Sequence, residues 1–182
     1  SGAILLYLGE KTGQFLPADL RKRVPVLEWL MWQMGGFGPM PGQVHHFLGV
    51  KDPQDQRYGL ERYSKETQRL YGVMDRRLAD HEFFADELSI ADFAIVGWAW
   101  RHERHKVDLA AYPNVKRWYE TMMARPAVSS SIVLWRLYSR ARLAARCMNV
   151  GRGGTPGARG SSSSSRSTST PSSWSLLSRS EE

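Results

Sequence analysis

Leu88-Ser89-Ile90-Ala91-Asp92-Phe93 reads as the start of a helix. Ser89 can accept the amide proton of the residue three further on, and Asp92 can reach back to the amide of Ser89, a capping box. The negative charge of Asp92 also suits a helix N-terminus. Leu88 and Phe93 occupy the two positions of a hydrophobic staple. The segment that follows, Ile90–Trp100, is apolar almost all round, the pattern of a buried central helix. The same Ser/Asp pair looks like part of a catalytic set, but no histidine stands at a motif-defined position, and capping explains both residues.

Working outward, Leu60, Tyr63, Thr67, Leu70, Met74 and Leu78 step by three or four and predict a helix from about Gln54 to Ala79. A further helix is expected from about Tyr112 to Arg125, carrying Val115, Trp118, Tyr119 and Met122, with Pro126 as its stop. Upstream, the spacing predicts a helix from about Asp19 to Met34 with Val24, Leu27, Leu30, Met31 and Met34 as its apolar stripe. Pro25 should delay or kink it. Gly35–Gly42 holds four glycines and two prolines in eight residues and predicts an irregular link. The first residues form a short helix with Ile4, Leu5 and Leu8 on one face and Gly13 as its stop. No strand periodicity is present, and the fold class is all-α.

Composition narrows the function. The net charge of +7 divides unevenly: residues 1–128 hold 17 Lys/Arg and 16 Asp/Glu, residues 129–182 hold 8 Arg and 2 Glu. The basicity belongs to the tail, so nucleic acid is not expected as a partner of the folded body. Cys147 is the single cysteine, which excludes an intrachain disulfide framework or zinc set and fits a reducing, cytoplasmic setting. No apolar run approaches a membrane span, and no membrane partner is expected. His102-Glu103-Arg104-His105 offers two histidines at i, i+3 without a third ligand, so no metal is expected. After Asn149 the chain is Gly, Ser, Arg, Pro and Thr, with 12 serines in the last 22 residues, a composition expected to stay disordered.

Five stretches, in order, resemble the glutathione transferases: Ser1–Leu5 with Tyr7-Leu8, Leu30–Met40, Gly42–Phe47, Ser89–Asp92 and Tyr112–Trp118. Trp32-Gln33-Met34-Gly35-Gly36-Phe37-Gly38-Pro39-Met40 and Gln43-Val44-His45-His46-Phe47 are most similar to the bacterial nu-class group, glutathione-dependent disulfide reductases. The resemblance covers residues 1–128. It implies the C-terminal helical bundle of such a transferase at residues 17–128, preceded at 1–16 by the last helix of a truncated thioredoxin-like domain. A basic Ser/Arg/Gly-rich tail, expected to be disordered, follows at 129–182. That tail is either a genuine extension or the product of a shifted reading frame, and both readings stay open.

The resemblance also implies site residues. Ser1 matches the serine that holds the γ-glutamyl end of glutathione at a helix N-terminus, and its glutamate partner would precede it. Arg69 matches an arginine that reaches across a homodimer to a glutathione carboxylate. Gln43 and His46 are expected along the open side of the substrate cleft, beside a small-molecule or disulfide substrate. Val44 stands where the family usually has asparagine. The thiol-activating residue would lie in a missing N-terminal segment, and the fragment alone is expected to be inactive. The alternative implied by related domains is a non-enzymatic helical interaction module.

Overall fold

The computed structural model describes residues 1–150, with side chains to residue 138. Residues 1–141 form one compact unit. The second begins at Arg142, and its described part, to Val150, is helical backbone. The expected disordered stretch after Asn149 lies almost wholly outside the described residues, as does its role.

Among the described residues seven α-helices run in order: α1 Gly2–Thr12, α2 Leu20–Trp32, α3 Pro39–Phe47, α4 Pro53–Ala79, α5 Ile90–Ala99, α6 Pro113–Met123 and α7 Pro126–Val150. No strand forms among the described residues; two isolated bridges pin the loop Phe83–Glu87. The all-α reading therefore holds.

At the start of α5, Asp92 Oδ2 accepts from Ser89 N at 3.0 Å, and Ser89 Oγ accepts from Ala91 N at 3.3 Å. Asp92 does more than the box requires. Its Oδ1 also accepts from Phe84 N at 3.2 Å and from Trp118 Nε1 at 3.0 Å. The fully buried carboxylate thus ties the preceding loop, α5 and α6 together. Burial pushes its pKa up, and these hydrogen bonds pull the other way. Phe93 of the expected staple sets its ring edge-on to Phe15, centroids 5.0 Å apart.

Helices α4 and α6 cap each other. Tyr112, at the N-cap of α6, supplies no side-chain acceptor. Asp75 of α4 supplies it instead, accepting from Asn114 N at 2.9 Å and Val115 N at 3.2 Å. In return Arg117 of α6 donates to the carbonyls of Leu78 and His81 at the end of α4. The free carbonyls of one helix and the free amides of the other are thereby satisfied across the interface.

Several local expectations are corrected. Helix α2 starts on time, capped by Asp19, which accepts from Lys22 N at 3.0 Å, and it runs through Pro25. Pro25 removes one N–H early in the helix, and the carbonyl it would have served belongs to exposed Arg21, within reach of water. The buried positions of α2 are Val26 and Leu30, while Val24 and Met31 are exposed. Helix α1 likewise packs inward through Gly2 and Gly9, leaving Ile4 and Leu8 exposed. A Cβ on Gly9 would sit 2.8 Å from Leu16 Cβ, so the glycine, not an apolar stripe, sets the approach. Helix α6 ends at Met123, ahead of Pro126 as expected, and Pro126 is also the first residue of α7, since proline suits a first helical turn. The boundary drawn at residue 128 falls inside that helix.

The Gly/Pro stretch is helical rather than irregular. Gln33–Phe37 makes one π turn closed by Gly38 N to Gln33 O at 2.8 Å, and Pro39 opens α3. Glycines permit the wider turn, and Pro39 at N1 needs no amide acceptor. This turn delivers α3 onto α4, where Phe47 stacks on Tyr63 at 5.6 Å and lies directly over Gly59. A Cβ on Gly59 would overlap the Phe47 ring. Gly59→Ala is therefore expected to lose about 1–3 kcal/mol through overpacking, more than alanine's helix preference of about 1 kcal/mol returns. Urea unfolding followed by circular dichroism checks it.

Candidate functional site

The residues singled out by sequence fall on three helices. Ser1 is the N-cap of α1; its side chain makes no capping bond, and its Oγ lies 3.7 Å from Met34 Sδ. The first intrahelical bond runs from Leu5 N to Ser1 O at 3.0 Å, so the amides before it face out of the helix end, a place that favours an anion. Gln43 and His46 sit one turn apart on α3, Gln43 half-buried and His46 exposed with its ring edge on Phe47. The intervening Val44 is wholly buried.

Arg69 projects from α4 with its side chain 60 % exposed, and its fork is occupied by Glu66: Nε to Oε2 at 2.8 Å and Nη2 to Oε1 at 2.7 Å. This hydrogen bonding holds the Glu66 carboxyl below its usual range and raises the guanidinium. A ligand carboxylate meeting Arg69 would replace Glu66, an exchange that costs little at an exposed pair. No hydrogen bond joins any two of Ser1, Gln43, His46 and Arg69. None of the four lines the 480 Å³ cleft formed by Leu16, Pro17, Arg21, Val26, Glu87 and Leu88, among others.

The two histidines of the 102–105 run separate. His102 Nδ1 pairs with Val107 O at 3.1 Å, whereas His105 is buried and pairs through Nδ1 with Tyr71 Oη at 3.0 Å. Among the described residues no group of three or more His, Cys, Asp or Glu is placed to hold a metal. Sequence reasoning missed the cluster that His105 joins. His45 stacks on it with centroids 4.8 Å apart, and Trp98 lies beside both rings. Pairing positions 45 and 105 requires the tertiary fold, and no local motif announces it.

An all-helical bundle, entered through a helix with an anion-friendly N-terminus and carrying an exposed arginine fork on its longest helix, has the form of a glutathione transferase helical domain. Residues 38–126 match the family model for the C-terminal domain of glutathione S-transferase. The chain belongs to that family. It is 49 % identical over 134 residues to the disulfide-bond oxidoreductase YfcG of Escherichia coli, covering 73 % of this chain and 62 % of that protein. Among solved structures it is similar to a glutathione transferase from Burkholderia graminis with two glutathione molecules bound per subunit. That match has 40 % identity, a TM-score of 0.64, and covers 71 % of this chain and 57 % of the other. It is also similar to Ure2p5 from Phanerochaete chrysosporium, cocrystallised with 1-(S-glutathionyl)-2,4-dinitrobenzene: 30 % identity, TM-score 0.65, 79 % and 69 % covered. The chain thus spans 62 % of the length of the E. coli relative. No helix among the described residues is long and apolar enough to cross a membrane.

Proposed function

We propose that this chain is the helical half of a glutathione-dependent disulfide reductase, with weaker conjugation of electrophiles as a side activity. The observation that carries the reading is its 49 % identity to a disulfide-bond oxidoreductase. The two-glutathione neighbour supports the stoichiometry. One glutathione thiolate attacks the substrate disulfide, forms a mixed disulfide and releases one substrate thiolate. A second glutathione thiolate attacks the glutathione sulfur, releasing glutathione disulfide and the other substrate thiolate. Thiolate is the nucleophilic form, so a group that lowers the thiol pKa is required. In this reading a thioredoxin-like half would supply that group to the helical one.

In this reading Ser1 and the open amides of α1 receive the γ-glutamyl carboxylate. Arg69 reaches the glutathione of the other subunit of a homodimer. Gln43 and His46 border the substrate cleft. The protein works in the cytoplasm on small disulfides or electrophiles, with no metal and no membrane or nucleic-acid partner.

The test joins this chain to a thioredoxin-like half from a relative and measures glutathione-dependent disulfide reduction. Recovered activity supports the reading. An inactive but folded fusion favours a non-enzymatic interaction module instead. Specific elution of the chain alone from glutathione-agarose would show that the helical domain binds glutathione unaided. In the active fusion, Arg69→Ala should raise KM for glutathione about tenfold, the scale of one lost charge-assisted hydrogen bond. Thermal stability should be unchanged because the Glu66 pair is exposed.

A further inference from the structure

His45, partly buried on α3, and His105, buried in the turn after α5, meet face to face. Their centroids are 4.8 Å apart and their planes 29° apart. His105 is 1 % exposed. Its Nδ1 is engaged by Tyr71 Oη at 3.0 Å, but its Nε2 has no partner, and neither does the buried Nε2 of His45. A neutral imidazole carries one donor and one acceptor nitrogen, so each ring already holds one unsatisfied atom. An imidazolium carries N–H on both nitrogens, so either protonated ring would hold a buried Nε2–H with nothing to receive it, against a second ring 4.8 Å away.

The surrounding charges make this worse. The turn after α5 contributes Arg101, His102, Arg104 and Lys106, with Glu103 exposed in the same turn. Helix α4 contributes the neutral Tyr71, and Tyr112 and Tyr119 approach from the α6 side. His46 on α3 is exposed. Arg101 lies against Trp98, Trp100 and Trp135, and Arg136 of α7 lies over Trp100. The fixed charges that act on the two rings are the cations Arg104 and Arg101, and a proton on either ring would also disfavour one on the other.

We propose that the His45–His105 stack is an acid-released latch, holding α3 against the turn after α5 while both rings are neutral and freeing it when either takes a proton. Burial first, then the arginines, holds His45 down to about 4, and burial first, then the neighbouring His45 and the arginines, holds His105 to about 3, from 6.5. The closed state therefore resists protonation while an opened α3 does not. The closed form has its full advantage above the ordinary imidazole range and loses it as pH falls from there towards the folded values. At about pH 5, each ring that regains its ordinary pKa on opening raises the opening equilibrium about 30-fold. Gln43 and His46 ride on the freed helix, but the latch does not depend on the role proposed for them.

The test is hydrogen exchange on the full chain between about pH 7 and about pH 5, comparing α3 amides with those of α6 after correction for intrinsic rates. The expected result is a loss of α3 protection by tenfold or more relative to α6. A change in Trp98 emission should accompany it, absent when Trp98→Phe removes the reporter. His45→Phe/His105→Phe should abolish the selective loss. Ring NMR titration of the wild type gives a readout that does not depend on the folding of that variant. The latch predicts that neither ring titrates until α3 opens. Equal loss in α3 and α6, an unchanged α3, or either ring titrating near 6.5 while α3 stays protected would overturn it.

Discussion

Asp92→Ala should destabilise the domain by about 3–5 kcal/mol, the range for breaking a buried charged hydrogen-bond set. The change strands Ser89 N, Phe84 N and Trp118 Nε1 in the interior and removes the acceptor for Ser89 Oγ. Each buried donor left unpaired costs about 1–3 kcal/mol. An ordinary capping substitution costs about 1 kcal/mol, so the measured value distinguishes a helix cap from a three-element tie. Urea unfolding followed by circular dichroism reads it. A loss near 1 kcal/mol would mean that water replaces the carboxylate.

Trp118→Ala should cost a similar 3–5 kcal/mol, for a different reason. Trp118 is fully buried and meets Phe84 edge-on, with ring centroids 5.1 Å apart. Its loss leaves a cavity between α6 and the Phe83–Glu87 loop. Trp118→Phe keeps much of the apolar contact and removes chiefly the Nε1 bond to Asp92, so about 1–2 kcal/mol is expected. Combining Trp118→Phe with Asp92→Ala should cost less than the sum of the two, since both remove that one bond. Strict additivity would show that the 3.0 Å contact carries no net energy.

The sequence displayed what is local. Ser89 and Asp92 stand three residues apart and cap each other, and the stripe from Thr67 to Leu78 is buried at the helical positions expected. What depends on contact between distant residues was not displayed. Asp75 looks like one more surface acid on α4, yet its work is done at Asn114 and Val115. Val24 and Met31 satisfied a stripe that the fold leaves outside, while α2 buries Val26 and Leu30 instead. Glycines and prolines read as breakers, and here they shape a π turn and a helix start. Of the site, Ser1, Gln43, His46 and Arg69 were legible only through resemblance. His45 and His105, 60 positions apart, carried no signal that would pair them.

The exchange of caps between α4 and α6 has a consequence for the order in which the chain takes shape. α6 has no acceptor of its own at its first turn and borrows one from residue 75. α4 has its own start, with Asp52 accepting from Gln54 N and Asp55 N. Dependence therefore runs from the later helix to the earlier one, which is also the direction of synthesis. As the polypeptide leaves the ribosome, the segment that can stand first emerges first. The segment that needs a template then arrives to find one waiting, bringing Arg117 to close the end that its host had left open.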